Sequence, residues 1–148
     1  MAKALFWEDV AVGTEIPPLV KNPTTQQLVR WAGASGDYYQ IHYDQDFAAS
    51  SGLPGVLVHG PLKSAWLGQM LSDWVGESGW VRKYGCSHRG MDLPGDTITC
   101  KGKVVRKYIE GGEHLVDCEI WVENSRGERT APGTALVVLP SRTSPAHA

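Results

Sequence analysis

An aspartate and a histidine stand five residues apart in one short segment that begins at a glycine. Asp37 and His42 lie in the run Gly36-Asp37-Tyr38-Tyr39-Gln40-Ile41-His42. An imidazole can act as a base near physiological pH, and a carboxylate can orient either the ring or a water molecule beside it. The pair therefore has the groups needed to move a proton to or from water. The spacing also fits an Asx turn at Asp37 followed by an ordinary loop histidine, so both interpretations stay open at this point.

A capped helix precedes this loop. Thr24 and Gln27 have the spacing of a capping box, which predicts a helix over residues 24–35 with Thr24 as its N-cap. The apolar side of this helix consists of Leu28, Trp31 and Ala32. The acid and the histidine therefore follow a helix end.

A second, longer helix is predicted from Pro61, which occupies a first-turn position where its missing N–H costs nothing. Gly76 and Gly79 end it. Apolar residues repeat at intervals of four along two neighbouring rows, so the apolar stripe is wider than one seam. The two rows are Leu62, Trp66, Met70 and Trp74, and Leu67, Leu71 and Val75. Such a helix is predicted to be wrapped by other elements rather than covered on one side.

After this helix the apolar residues follow a period of two, which is typical of strands with one buried face. Strands are predicted over residues 80–89, 97–106, 114–123 and 130–139, and we expect hairpins at the three connections between them. The pattern predicts an α+β fold in which an antiparallel sheet curls round the helix. A single curled sheet leaves edges open, so we expect pairing with a second copy or a similar subunit.

Length and composition restrict the class of protein. The 148 residues fit one domain, predicted over residues 1–140 with a flexible tail over 141–148. A net charge of -2 with scattered basic residues argues against nucleic-acid binding. We find no signal-peptide core and no apolar run as long as the roughly 20 residues of a membrane span, so a cytoplasmic location is expected. Six tryptophans indicate broad apolar surfaces, as in an acyl pocket or a subunit interface.

The three cysteines are widely spaced and form no C-x-x-C pair. They are predicted to be small buried hydrophobic residues rather than disulfide or zinc ligands. No group of His, Asp and Cys has clear metal-ligand spacing, so no metal is expected.

Five motifs follow one another along nearly the whole chain. They are Phe6-Trp7-Glu8-Asp9-Val10-Ala11-Val12-Gly13, Ser35-Gly36-Asp37 with Ile41-His42-Tyr43-Asp44, Phe47-Ala48, Val58-His59-Gly60 and Pro94-Gly95-Asp96-Thr97. In this order they resemble the MaoC-like (R)-specific enoyl-CoA hydratases and 3-hydroxyacyl-CoA dehydratases. The resemblance implies the hotdog fold, a curled antiparallel sheet wrapped around one long central helix. It also implies reversible hydration of 2-enoyl-CoA thioesters to (R)-3-hydroxyacyl-CoA.

The resemblance assigns roles to individual residues. Asp37 and His42 match the acid and histidine that activate water, and Gly60 matches the glycine whose backbone N–H stabilises the thioester oxyanion. Gly60 precedes Pro61 at a helix start, where free N–H groups and the positive end of the helix dipole favour an anion. The residues expected to contact the substrate are Tyr38, Tyr39, His59 and Trp66. No cofactor is expected beyond the coenzyme A of the substrate itself.

Two departures from the family pattern bear on the acyl group. Tyr39 and Gln40 replace the Asn-Pro pair usual in the loop, and Gly68 stands where many members place a small hydroxyl residue. Together they suggest room for a bulky or ring-containing acyl group, as in short subunits that act on steroid side chains, some of them within heteromers. A second interpretation of Gly68 is that it permits close packing of the helix against the sheet.

Two other functions compete with hydration. A thioesterase on the same fold would commonly use an acid in the central helix, where Asp73, far along it, is the only candidate. The chain could also be a partner-dependent or silent subunit, although its retention of Asp37 and His42 argues against silence. Several basic residues could bind coenzyme A phosphates or simply lie on solvated faces: Lys63, Arg82, Lys83, Arg89 and Arg106.

Overall fold

A computed structural model describes residues 3–143. Three α-helices span Thr25–Ser35 (α1), Gln45–Ser50 (α2) and Gly60–Val75 (α3). Five strands span Glu15–Lys21 (β1), Trp80–Cys86 (β2), Ile98–Glu110 (β3), Glu113–Glu123 (β4) and Arg129–Val138 (β5). Short 3-10 turns lie at Trp7–Asp9 and Gln40–His42.

The predicted tail falls partly outside this range. Residues 144–148 lie outside the described residues. Ser141 is buried and its hydroxyl donates to a Glu8 carboxylate oxygen at 2.5 Å, while the Arg142 guanidinium pairs with Asp9 at 2.6 Å. Residues 141 and 142 thus contact the N-terminal turn.

The predicted capping of α1 is confirmed on the Thr24 side. The Thr24 hydroxyl oxygen accepts a hydrogen bond from the backbone N–H of Gln27 at 3.2 Å. At the other end Gly36 takes φ +78°, and its N–H donates to the carbonyl of Ala32 at 2.9 Å. This left-handed conformation suits glycine and ends the helix one residue before Asp37.

Helix α3 lies inside the curl of the sheet, as its wide apolar stripe predicts. It contacts all five strands. Its buried side chains are Leu62, Lys63, Trp66, Leu67, Met70, Leu71 and Val75. Each large apolar side chain removed from water contributes about 1.5–3 kcal/mol to the hydrophobic driving force for folding, so the helix is fixed by burial on several sides.

The five strands form one antiparallel sheet in the order β1-β3-β4-β5-β2. The β3–β4 and β4–β5 connections are the predicted hairpins. The expected hairpin between β2 and β3 is wrong, because β2 pairs with β5 at the opposite side of the sheet from β3. The predicted 80–89 strand also ends earlier, at Cys86.

A buried charge anchors this crossover connection. The connection over residues 87–97 carries Asp92, which is fully buried and paired with the Lys63 ammonium of α3 at 2.9 Å. Its carboxylate also accepts hydrogen bonds from Asn124 and Thr130, near the β4–β5 turn. The connection is therefore anchored across the end of the sheet instead of turning back. Lys63 is 2% exposed, so both sequence interpretations of it, a solvated lysine or a phosphate ligand, are wrong.

Buried residues alternate along β3 and β4 with the period of two expected for strands with one buried face. The residues buried on them are Ile98, Cys100, Gly102, Val104, Val116, Cys118, Ile120 and Val122. Burial raises the pKa of the Cys100 and Cys118 thiols to about 12, which keeps them in the unreactive thiol form.

Close packing, and not spare volume, accounts for Gly68. A Cβ at this position would lie 2.5 Å from the Tyr84 hydroxyl oxygen, which donates to the Ser64 carbonyl at 3.2 Å. The phenol of β2 therefore fills the space beside the helix. The expectation that Gly68 opens room for a bulky acyl group does not hold in this chain.

This contact predicts a background-dependent effect of Gly68→Ala on the free energy of unfolding. In a Tyr84→Ala background the alanine should stabilise the protein by up to about 1 kcal/mol, since glycine is a poor helix former. In the wild-type background the gain should vanish or change sign, because the new methyl group collides with the phenol. Urea unfolding of the four proteins measures the coupling, and an equal effect in both backgrounds would refute the packing explanation.

Candidate active site

The loop after α1 brings the two predicted proton-transfer groups together. The His42 Nε2 atom lies 3.7 Å from Asp37 Oδ2. His42 is buried, whereas the Asp37 side chain is 40% exposed. The two atoms are too far apart for a good direct hydrogen bond, but a water about 2.8 Å from each could bond to both.

A backbone carbonyl selects the tautomer of His42. The His42 Nδ1 atom lies 2.7 Å from the carbonyl oxygen of Leu57. A carbonyl only accepts, so Nδ1 carries the proton when the ring is neutral and Nε2 presents its lone pair towards Asp37. The base is thereby aimed at the carboxylate and at any water between them.

Asp37 both forms an Asx turn and faces His42, the two interpretations that the sequence left open. Its Oδ1 accepts from the backbone N–H of Tyr39 at 3.3 Å, the contact of an Asx turn. Its Oδ2 is the atom that faces His42. The turn fixes one oxygen and leaves the other for the imidazole, so the structural role supports the chemical one.

His59 forms the inner wall of the site. Its ring stacks on His42 with centroids 3.7 Å apart and an interplanar angle of 19°, and it is fully buried. Its Nε2 donates to the Asp37 carbonyl at 3.4 Å, while Nδ1 has no hydrogen-bond partner within residues 3–143. Burial, and secondarily the neighbouring His42, lowers the pKa of His59 and keeps its ring neutral.

The side chains of Asp37, His42 and His59 carry atoms that could ligate a metal. One nitrogen or oxygen from each of Asp37, His42 and His59 lies within 4.8 Å of the others. The two imidazoles are nearly parallel, however, so a single ion cannot lie in both ring planes. The His42 Nδ1 and His59 Nε2 atoms are also occupied by carbonyl contacts. The arrangement suits an acid–base pair better than a metal ligand set.

Gly60 starts α3 directly after this stack. Within the described chain no side chain caps this helix end, and Pro61 follows Gly60. The first N–H groups of a helix lack intrahelical acceptors, and the dipole makes this end positive. The Gly60 backbone is thus suited to stabilise a developing negative charge beside the two histidines.

His88 is a neighbour of Gly60 that the sequence did not single out. The predicted strand over residues 80–89 includes His88, but the residue lies past the end of β2, in the crossover connection. A Cβ at Gly60 would meet its ring at 2.9 Å, and its Nε2 lies 3.4 Å from the Ser64 hydroxyl oxygen. Burial and the charge of Lys63 lower the pKa of His88. Its position at the start of α3 follows from the pairing of β2 with β5, which the sequence pattern does not predict.

The remaining predicted substrate contacts are distributed around the site. Tyr39 is 56% exposed and approaches His42 edge to face, with centroids 6.3 Å apart. Tyr38 is 60% exposed on the outer side of the loop, and Trp66 is 4% exposed within the hydrophobic core. The structure therefore gathers Tyr39 and His59 at His42, with Tyr38 at the rim and Trp66 in the core.

Residues 10–124 match the family of MaoC-like domains, the MaoC dehydratase family. The chain belongs to this family.

Relatives by sequence include a subunit of similar length and a much larger protein. The chain is 26% identical over 133 residues to the β subunit of 3-oxo-4,17-pregnadiene-20-carboxyl-CoA hydratase of Mycobacterium tuberculosis, which covers 90% of this chain and 98% of that subunit. It is 32% identical over 100 residues to fatty acid synthase subunit β of Aspergillus oryzae, over 58% of this chain. The matched part is 5% of that synthase subunit.

Solved structures share the fold. The (R)-hydratase from A. caviae involved in PHA biosynthesis has a TM-score of 0.80 at 22% identity, covering 90% of this chain and 99% of that one. A chain of the ChsH1–ChsH2 complex of Mycobacterium tuberculosis has a TM-score of 0.76 at 22% identity, covering 87% and 98%. The expected hotdog fold of the MaoC-like domain is confirmed.

The neutral, buried His59 predicts how stability depends on pH. Its folded pKa lies below the ordinary value of 6.5, so the unfolded chain binds a proton more readily. This contribution to stability is complete above about pH 6.5 and is lost as the pH falls through that value towards the folded pKa. A His59→Gln variant should show a shallower loss of unfolding free energy between pH 7 and 5.5 in urea titrations. Equal slopes in the two proteins would contradict a buried neutral His59.

Proposed function

We propose that this MaoC-like domain adds water reversibly to 2-enoyl-CoA thioesters and forms (R)-3-hydroxyacyl-CoA. The observation that carries the proposal is the fixed tautomer of His42. Its Nδ1 is committed to the Leu57 carbonyl, and its basic Nε2 faces Asp37 beside the start of α3. The family and the (R)-hydratase fold support the same reaction.

In the hydration direction, Asp37 and His42 hold one water between them and His42 Nε2 takes a proton from it. The resulting hydroxide forms the new bond to C3, and the electron pair of the double bond moves towards the thioester. Negative charge then develops on the thioester oxygen, where the Gly60 N–H and the helix dipole stabilise it. The proton returns from the dyad to C2, so one water has been added and both side chains are regenerated.

The central test is mutation of the dyad. Asp37→Asn and His42→Ala should each lower turnover per folded molecule by about a hundredfold or more, the usual range for a positioned acid–base group. His42→Ala should also lower thermal stability, because it removes a buried ring and leaves the Leu57 carbonyl without its partner. The decrease in absorbance of the conjugated enoyl thioester reports the rate. Asp73→Asn is a matched control, since Asp73 is exposed on α3 far from the loop. Near-normal turnover in either dyad variant would remove that residue from the mechanism.

The position of Asp73 also weakens the thioesterase alternative. Asp73 lies thirteen residue steps along the helix from Gly60, which corresponds to about 20 Å at 1.5 Å per residue. An acid at that distance cannot act on a thioester whose carbonyl is bound at the helix start.

The acyl group is proposed to be bulky or ring-containing. The support comes from Tyr39 and Gln40 in place of the usual Asn-Pro pair, and from the relative named as a pregnadiene-carboxyl-CoA hydratase subunit. Gly68 does not support a bulky acyl group, because Tyr84 occupies the space beside it.

Substrate competition tests this specificity. The ratio of kcat/KM for a ring-containing enoyl-CoA to that for a short linear one should exceed unity. A clear preference for the short linear substrate would refute the bulky acyl group and leave hydration itself intact.

The protein is proposed to work as a homodimer or a higher even oligomer, or as a heteromer with a related hotdog subunit. The support is that β1 and β2 are the two edges of the sheet and that a structural neighbour is a two-component complex. No nucleic acid or membrane is proposed as a partner. In residues 3–143 no helix has the length and apolar character to cross a bilayer.

Sedimentation of the purified chain tests assembly. An even-numbered oligomer at micromolar concentration is expected, because an unpaired sheet edge favours association. A stable monomer that becomes active only when a second hotdog subunit is added would favour the heteromer. A stable monomer with full activity alone would contradict both forms.

A further inference from the structure

A buried ion pair lies next to the proposed oxyanion site, and the proposed hydration does not use it. Lys63 in the first turn of α3 and Asp92 in the crossover connection are 2% and 0% exposed. The Lys63 ammonium lies 2.9 Å from Asp92 Oδ2 and donates to the Gly90 carbonyl at 3.1 Å. The pair therefore joins the helix start to the connection by side-chain contacts.

Two further side chains complete the polar cluster. The Thr130 hydroxyl donates to Asp92 Oδ2 at 2.5 Å, and the Asn124 amide donates to Oδ1 at 3.1 Å. Both carboxylate oxygens are thus satisfied. Removing two charges from water is costly even when they are paired, and apolar residues of similar size often stabilise a fold at least as well. Stability alone is a weak reason for such a cluster.

The cluster is joined to the chain just before and just after His59 and Gly60. The Val58 N–H donates to the Asp92 carbonyl at 2.8 Å, and the Lys63 N–H donates to the His59 carbonyl at 3.3 Å. The first link lies one residue before His59, and the second is the first i to i−4 bond of α3, which spans His59 and Gly60. The same connection carries His88, whose ring rests against Gly60. Both the stacked histidine and the proposed oxyanion donor are therefore held between contacts made by Lys63 and Asp92.

We propose that Lys63 and Asp92 are positioning residues that fix the Gly60 N–H and the His59 ring for the reaction. The inference rests on the proposed hydratase function and extends it to a residue pair that does not touch the substrate. An oxyanion donor acts most strongly in the transition state, so a small displacement of Gly60 lowers kcat more than it raises KM. A purely structural pair would affect folding and leave the rate per folded molecule unchanged.

The test is a neutral replacement of both partners. Lys63→Met with Asp92→Asn keeps the approximate shape, removes both charges and leaves an amide oxygen to accept from Thr130 or Asn124. We expect a folded protein whose kcat is at least tenfold lower and whose KM changes by less than threefold. Binding of a saturated acyl-CoA should be nearly unchanged. A folded double variant with wild-type kcat would overturn the proposal.

A milder variant decides the question if the double variant does not fold. Thr130→Val is nearly isosteric and removes one hydrogen bond to Asp92 while leaving the ion pair. It should lower kcat by about threefold or more at unchanged KM, and an unchanged kcat would overturn the proposal. Lys103→Met with Glu119→Gln is the matched control, because this exposed pair on β3 and β4 lies 3.4 Å apart away from the helix start.

The activity of the wild-type protein distinguishes failure of the positioning proposal from failure of the proposed hydratase function. If the wild-type protein hydrates an enoyl-CoA and the variants do so equally well, only the positioning proposal fails. If the wild-type protein hydrates none, the proposed function fails. Amide hydrogen exchange over residues 58–63 then tests the positioning directly, since the neutral variants should exchange faster there than the control, and equal exchange would overturn it.

Discussion

The burial of α3 within the sheet is the constraint on which the rest of the molecule depends. Its side chains are covered from several directions, and all five strands contact it. A helix held in this way cannot slide or tilt without exposing apolar surface, so its first turn has a fixed place at one end of the sheet. Gly60 lies at that end, where unpaired N–H groups and the helix dipole are available to an anion.

Two loops converge on this fixed helix start and acquire their geometry from it. The segment before α3 supplies the Leu57 carbonyl that orients His42, and His59 stacks under the same ring. The loop after α1 brings Asp37 opposite the free nitrogen of His42. The proposed acid–base pair and the proposed oxyanion donor therefore come from separate parts of the chain but are joined by backbone contacts. This coupling explains how a partly exposed loop can hold an arrangement suited to proton transfer.

Sequence periodicity and local chemistry predict much of this fold. They do not predict features that depend on contacts between distant parts of the chain. Thr24, the apolar rows of α3 and the alternating residues of β3 and β4 determine local elements, and they were identified correctly. Strand pairing depends on distant contacts, so the sequence wrongly predicts a hairpin between β2 and β3 and a strand that includes His88. Lysine and aspartate are residue types that usually lie on the surface. Only the contact between Lys63 and Asp92 accounts for their burial. Gly68 was ambiguous until Tyr84 could be placed beside it.

The proposal that the protein adds water to the double bond of an enoyl-CoA is tested most directly by following the oxygen atom of the water. Purified protein is incubated in H₂¹⁸O with enoyl-CoA substrates that include a short linear and a ring-containing acyl group, and the products are analysed by mass spectrometry. The account predicts one ¹⁸O in the 3-hydroxyl group of an intact CoA thioester, formed at a rate that depends on His42. Label in a free carboxylate together with release of the coenzyme A thiol, or no labelled product from any enoyl-CoA, would contradict it.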